Sequence, residues 1–324
     1  MTRPVVLCTL PMDAAGTALL APAANVVVAG DSGADTLGRL VGSADYLVVR
    51  TFLPVSVLER PHHLRAIVRH GTGLDMIPME EATRQGIPVA NVPGANAQAV
   101  AEYVVGSLFE LARRFGELNT SLRVQGWAEA RTVSARSIEV SGKTIGIVGV
   151  GDIGKRIARI CSFGLGMNVL GYQPDASCFP EHVRSVPLDT LLTQSDFVTL
   201  NCPLTQSTKR LIGSRQFALM KSTAFLVNAA RGEVVDEIEL ARVLGARTIA
   251  GAALDVYAEQ PLQPDHPFLA CGNLLLTPHV AALTQESTAR MSVGTAEQIL
   301  QLMRGERPTH LVNPEVWAAW PHRA

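Results

Sequence analysis

Short apolar runs recur along the chain, each followed by an amphipathic or turn-rich stretch. In the first third, residues 5–10, 25–28, 46–49, 66–69 and 89–92 are short runs dominated by valine, isoleucine and other apolar residues. Runs of this length and composition predict strands. The helical or turn segments between them predict βαβ units that build a parallel sheet. A long helix is predicted over 97–115, because Val100, Val104, Leu108 and Leu111 fall three and four residues apart, between Pro93-Gly94 upstream and Gly116 downstream.

A polar, arginine-rich segment with one tryptophan, Trp127, follows the long helix, and a second alternating series opens at Lys143. It predicts six strands, at 144–148, 168–172, 197–200, 224–228, 249–253 and 274–277, which match the size of a dinucleotide-binding sheet. A last helical stretch, about 285–304, carries the chain away from that sheet, and the tail from Pro308 onward returns to the first domain. The expected fold is α/β, with two Rossmann-like domains, each a doubly wound parallel sheet. One domain is discontinuous, at 1–97 plus 292–324, and the domain that carries the dinucleotide-binding sheet is inserted at 98–291. Open α/β sheets bind ligands beyond the C-terminal ends of their strands, so a pocket is expected at the crevice between the two domains.

The chain's 324 residues are too many for one ordinary α/β core. Its 47% hydrophobic content suffices to bury two cores, and a net charge of -1 leaves no basic excess for nucleic acid. No apolar run approaches the roughly 18 residues of a membrane span, and the first residues lack a signal-peptide stretch. A cytoplasmic protein without membrane or nucleic-acid partners is expected. The five cysteines, Cys8, Cys161, Cys178, Cys202 and Cys271, are scattered, with no CxxC or Cys/His cluster, so free thiols and no metal site are expected.

Residues 144–154 read Thr-Ile-Gly-Ile-Val-Gly-Val-Gly-Asp-Ile-Gly, a buried-strand run that ends in Gly149-x-Gly151-x-x-Gly154 and leads into a helical stretch. A dinucleotide-binding turn requires this order. The first glycine permits the tight turn, the second lets backbone amides approach a pyrophosphate, and the third lets the helix pack close to the strand. Two polar signatures follow, Asn228-Ala229-Ala230-Arg231-Gly232 and Thr277-Pro278-His279.

With Arg69-His70-Gly71-Thr72-Gly73-Leu74-Asp75, Asn91-Val92-Pro93-Gly94-Ala95-Asn96, Val100-Ala101-Glu102, Asn201-Cys202-Pro203-Leu204-Thr205 and 251–256, these motifs stand in one order across nearly the whole chain. In them the chain resembles the D-isomer-specific 2-hydroxyacid dehydrogenase family, the group of phosphoglycerate, glycerate/hydroxypyruvate and glyoxylate enzymes. The resemblance implies hydride transfer between a nicotinamide and C2 of a small 2-oxo or D-2-hydroxy acid. Such a reduction needs a cation for the carboxylate and ketone and a proton donor for the alkoxide. Arg231, with its permanently charged fork, and His279, which exchanges a proton near neutral pH, suit those two tasks. The backbone of Gly71, Thr72 and Gly73, with Leu74, resembles the carboxylate-binding loop; Arg50 is a candidate for the substrate's tail or a plain surface arginine. Cofactor contacts carry over to Thr72, Asn96, Gly149, Gly151, Asp152, Ile153, Gly154, Gln173, Cys202, Pro203, Ala229, Ala230, Arg231, Asp255 and His279. Asp255 stands where the family holds the nicotinamide carboxamide. Asn96 and Glu102 read equally well as capping and hinge residues of the long helix. The segment from Arg113 to Gly142 resembles a dimerisation arm, so a homodimer is expected.

Two departures from the family pattern bear on mechanism. Where the family reads Asp-Val-Phe-x-x-Glu-Pro, this chain reads Asp255-Val256-Tyr257-Ala258-Glu259-Gln260-Pro261, so Gln260 takes the place of the glutamate that partners the catalytic histidine. An amide orients an imidazole without stabilising its cation, so His279 is expected to have a lower pKa than in its relatives, unless Glu259 substitutes by a shift of the loop. The histidine and glutamine pair also occurs in the related formate dehydrogenases, which keeps hydride abstraction from formate as an alternative, and a catalytically weak NAD(H)-sensing regulator is a second. At the end of the strand 168–172, Gln173 stands where an acid would bind the ribose hydroxyls and repel a 2′-phosphate. NAD is the expected cofactor, with Asp175 restoring part of the repulsion, and NADP is admitted.

Overall fold

A computed structural model of the chain describes residues 3–175, 177 and 179–323. It contains two compact units, Met1–Asn96 with Leu283–Ala324, and Ala97–Ala282. Four cysteines, Cys8, Cys161, Cys202 and Cys271, are free; Cys178 lies outside the described residues.

The first unit is built on five parallel strands, β1 (Val5–Cys8), β2 (Asn25–Val28), β3 (Tyr46–Val49), β4 (Ala66–Arg69) and β5 (Val89–Ala90), in the order β2-β1-β3-β4-β5. The central strand β3 is Tyr-Leu-Val-Val and buried at every position, as expected of a parallel strand covered on both faces. The run predicted to extend to Val92 leaves the ladder after Ala90, because Val92 N turns to donate to Gly71 O at 2.9 Å. The outer edge of β5 is closed by the returning tail. Val312 N donates to Val89 O at 2.7 Å, while the Asn313 side chain accepts from Val89 N at 2.8 Å and donates to Ile87 O at 3.0 Å.

The helix Gln285–Met303 lies against the short helix Ala14–Leu20 at backbone distance. A Cβ built on Gly16 would sit 2.5 Å from Ser292 O. Ser292 Oγ also accepts from Asp13 N at 2.9 Å. These contacts bind the whole final helix to the first unit. The return crossing therefore falls at 282/283, ahead of that helix, rather than at 291/292 within it.

The second unit holds seven parallel strands, β6 (Thr144–Val148), β7 (Asn168–Tyr172), β8 (Arg184–Ser185), β9 (Phe197–Leu200), β10 (Phe225–Asn228), β11 (Gly251–Leu254) and β12 (Leu274–Leu276), in the order β12-β11-β10-β9-β6-β7-β8. The strand beyond the predicted six is β8, two exposed residues with no apolar pattern to reveal them. Strand order reverses between β6 and β9, so the C-terminal ends of these neighbours form the topological switch point of a doubly wound sheet. The helix Ala97–Arg113 packs Val104, Leu108 and Leu111 into the core of this unit. It stops short of the predicted Phe115 because Arg114 adopts the left-handed conformation (φ 57°), and Phe115 opens the next helix, Phe115–Val124. Among the described residues, no helix is long and apolar enough to cross a membrane.

Gly16→Ala places a methyl inside the backbone of Ser292, and such overpacking costs about 1–3 kcal/mol. The expected result is a lower midpoint in thermal denaturation with the secondary structure of the folded state unchanged in circular dichroism.

Candidate active site

After β6 the chain turns at Gly149 (φ 93°), whose Cβ would lie 2.8 Å from Asn201 C and Cys202 N at the end of β9. The glycine thus lets two loops of the switch point touch. Gly154 has no room either, since a Cβ there would meet Gly149 O at 2.3 Å. Gly151, in contrast, faces open space. It is the N-cap of the helix Asp152–Arg159 and contributes no capping side chain. The first intrahelical bond runs from Lys155 N to Gly151 O at 2.9 Å, so the amides of Asp152 and Ile153 precede the ladder and are suited to an anion. This cradle fits the pyrophosphate of a dinucleotide.

Gln173, just past β7, folds back on the glycine loop: its Oε1 accepts from Val150 N at 2.9 Å and its Nε2 donates to Asp175 O at 2.5 Å. Asp175 is exposed, and Ser177 holds its carboxyl below the usual range by donating to it. Cys202 is buried, which pushes its thiol up to about 11, and Pro203 O accepts from Thr208 Oγ1 at 2.6 Å.

Beyond β10, Asn228 is buried and shapes the next turn with its side chain, which accepts from Ala230 N at 3.1 Å and donates to Arg231 O at 2.9 Å. The Arg231 guanidinium reaches Ala230 O at 2.6 Å. Gly232 follows in intimate contact with the loop after β11, for its Cβ would lie 2.0 Å from Tyr257 C. In that loop Gln260 Nε2 donates to Tyr257 O at 3.1 Å, so Gln260 Oε1 faces His279 Nδ1 at 2.8 Å. A carbonyl oxygen only accepts, so the shared hydrogen belongs to Nδ1, and Nε2 is the ring atom that gains or loses a proton. Glu259 does not take this place; it accepts instead from Gln263 Nε2 at 3.2 Å.

His279 itself has φ 58°, a left-handed conformation that is costly for a residue with a side chain. Asp255 secures the backbone around it. This carboxylate is 1% exposed and accepts from Thr277 Oγ1 at 2.6 Å, Val280 N at 2.9 Å and Ala281 N at 2.8 Å. Sequence motifs placed Asp255 at the cofactor but missed this structural task. They also missed Asn228 as the former of the arginine turn, although an asparagine that ends a buried strand before a short polar turn is a recognisable signal.

In the first unit, β4 leads into His70, Gly71 (φ 131°), Thr72, Gly73 and Leu74. The Arg69 guanidinium lies along this loop, donating through Nε to Gly73 O at 3.1 Å and through Nη1 to His70 O at 2.6 Å and Val49 O at 3.0 Å. Asn91 Nδ2 donates to Thr72 O at 2.9 Å from the other side. Arg50 N is held by Thr9 Oγ1 at 2.9 Å, and burial lowers the pKa of its guanidinium. Asn96 ends this unit directly before the helix Ala97–Arg113, on which Glu102 is exposed and accepts from Gln98 Nε2 at 2.7 Å.

Residues 105–281, more than half of the chain, match the D-isomer specific 2-hydroxyacid dehydrogenase, NAD binding domain. The glyoxylate reductase of Korarchaeum cryptofilum is 40% identical over 82% of this chain and 80% of its own length. The chain belongs to the D-isomer-specific 2-hydroxyacid dehydrogenase family. A D-3-phosphoglycerate dehydrogenase of Methanocaldococcus jannaschii is 36% identical over 95% of this chain, which spans only 59% of that protein. The crystal structure of an NAD-dependent formate dehydrogenase from Staphylococcus aureus in complex with NAD is 25% identical with a TM-score of 0.86, covering 95% of this chain and 98% of that one. This family member is an NAD(P)-dependent oxidoreductase.

His70, beside the 71–74 loop, is 3% exposed, and its Nε2 lies 2.8 Å from Ser292 Oγ. Burial, and then the positive charges of Arg50 and Arg69, bring its pKa down to about 3. The unfolded chain takes up this proton near pH 6.5 whereas the folded enzyme does not. Stability is therefore fully present above about pH 6.5 and is lost as pH falls toward 3. Urea unfolding at pH 5 is expected to show about 2 kcal/mol less stability from this group than at pH 7, and the His70→Gln variant is expected to lack that share of the acid sensitivity.

Proposed function

We propose that the enzyme reduces a small 2-oxo acid to the D-2-hydroxy acid, and catalyses the reverse oxidation, with Arg231 and His279 as its chemical groups. The observation that carries this reading is the 2.8 Å bond between His279 Nδ1 and Gln260 Oε1, which sets the tautomer of an imidazole held in a left-handed backbone. NAD(P), when bound on the glycine cradle, supplies or accepts the hydride at C2. Arg231 binds the substrate carboxylate and polarises the adjacent carbonyl, because a guanidinium keeps its charge and presents paired donors. His279 Nε2–H gives its proton to the oxygen of C2 as charge develops there; in oxidation the neutral Nε2 takes that proton back. The loop of Gly71, Thr72, Gly73 and Leu74 offers backbone amides for the carboxylate, and Arg50 is assigned to the substrate's tail. Asn96, Cys202, Pro203, Ala229 and Ala230 are assigned to the cofactor. With Gln173 in place of an acid, both NAD and NADP are accepted, NAD being preferred because Asp175 stays ionised nearby. The exposed apolar side chains of Val124 (78%) and Trp127 (70%) support a homodimer through the segment 113–142.

The His279–Gln260 pair also supports a second reading, hydride abstraction from formate, which requires no proton transfer. Consumption of NADH and NADPH, each with glyoxylate, hydroxypyruvate and 3-phosphohydroxypyruvate, separates the two when formate is run with the oxidised cofactors. Turnover of an oxo acid is expected; activity on formate alone would replace this reading. Arg231→Gln and His279→Gln are each expected to lower kcat/KM for the oxo acid by about 10²–10⁴-fold in steady-state assays.

Gln260→Glu puts a carboxylate on Nδ1 and stabilises the imidazolium. Reduction needs the protonated ring, so its rate falls as pH rises through the pKa of His279. The variant is expected to shift that descending limb of the pH–kcat/KM profile upward by about one pH unit or more. A limb that stays in place refutes the assignment of His279 as the acid.

A further inference from the structure

Thr277, two residues before His279, is gripped at both of its oxygens by a phenol. Tyr103, on the helix Ala97–Arg113, has its hydroxyl 2.7 Å from Thr277 Oγ1. Thr277 Oγ1 lies 2.6 Å from Asp255 Oδ1, and a carboxylate only accepts, so the single hydroxyl hydrogen of Thr277 goes to Asp255. Tyr103 is then the donor of the 2.7 Å bond. Tyr257 donates to the carbonyl oxygen of Thr277 at 2.9 Å, and the same carbonyl accepts from His279 N at 3.1 Å. Both phenols remain donors across the working pH range, since burial raises their pKa values, that of Tyr257 to about 12.

We infer that the hydroxyls of Tyr103 and Tyr257 are positioning groups for His279, acting through Thr277. The inference rests on the proposal that His279 exchanges the proton. A histidine with φ 58° stays there only where its surroundings over-determine the backbone. Asp255 holds the chain after His279 through the amides of Val280 and Ala281, and the two phenols hold it before His279. Tyr257 has a second task. Its own carbonyl accepts from Gln260 Nε2 at 3.1 Å and so aims Gln260 Oε1 at the imidazole. One residue therefore sets both partners of the His279–Gln260 pair, the amide by its backbone and the histidine by its hydroxyl. A phenylalanine at 257 keeps the backbone acceptor for Gln260 and loses only the hydroxyl that holds Thr277. Each phenol acts by holding Thr277.

The test uses the full-length enzyme carrying Tyr103→Phe, Tyr257→Phe and both together, which retain the rings and remove only the hydroxyls. Steady-state reduction of the oxo acid turned over by the wild type is measured beside thermal midpoints and the ¹⁵N spectrum of the His279 ring. The double variant is expected to lose about 10–100-fold in kcat with KM for cofactor and substrate little changed, and to show altered Nδ1 and Nε2 signals, because a small misplacement of a proton donor slows the step it serves. Thr277→Ser, which keeps Oγ, is expected to retain kcat close to wild type. A double variant with wild-type kcat and an unchanged ring spectrum, while His279→Gln shows its expected loss of activity, overturns the inference and leaves the functional proposal standing. Wild-type turnover by His279→Gln overturns the functional proposal itself, and this inference with it.

Discussion

The backbone around His279 depends on one buried carboxylate. Asp255 is almost inaccessible, and an ionised group in such a place costs several kcal/mol unless donors replace its water. Thr277, Val280 and Ala281 supply them. These donors lie on either side of His279, so satisfying the charge requires the chain to bend around that residue. The left-handed conformation of the histidine follows from this requirement. Strain at His279 is compensated by hydrogen bonds to charge, each stronger than one between neutral groups.

Glycines let neighbouring loops come close enough to share that order. Gly232 brings the turn of Arg231 against the backbone of Tyr257, and Gly149 brings the dinucleotide turn against Asn201 and Cys202. A Cβ at either position would collide with the facing backbone and force the loops apart. The loops after β6 and β9 therefore pack as one pair, and those after β10 and β11 as another. In the first unit the same result comes from a cation. Arg69 collects the carbonyls of His70 and Gly73 and shapes the loop between them, while Ser292 meets the buried neutral imidazole of His70.

Two amides stand where the family pattern has acids. Gln260 accepts from His279 with the geometry that a carboxylate would use, yet a neutral amide brings no charge of its own to the ring. Gln173 uses its oxygen on Val150 N, which ties β7 to the glycine loop, and has no negative charge to set against a 2′-phosphate. Both amides fix an orientation through a hydrogen bond without contributing a charge.

Much of this was legible in the residues alone. Apolar runs without polar alternation revealed eleven strands of the two parallel sheets, since a strand covered on both faces must be apolar throughout. The order strand, Gly149-x-Gly151-x-x-Gly154, helix revealed the dinucleotide turn, because its constraint is local in sequence. Arg231, His279 and Gln260 were visible as residue types in motifs. Only the tertiary structure decided how they are held. The bonds from Tyr103 to Thr277 and from His70 to Ser292 join positions 174 and 222 residues apart, and no periodicity encodes such a pair. Nothing in the local sequence around Gly16 encodes the approach of Ser292. Local pattern selects the elements because backbone geometry and burial act over a few residues. The partners of a buried charge or a close-packed glycine are chosen by the folded chain, since those groups find each other only after distant segments have met.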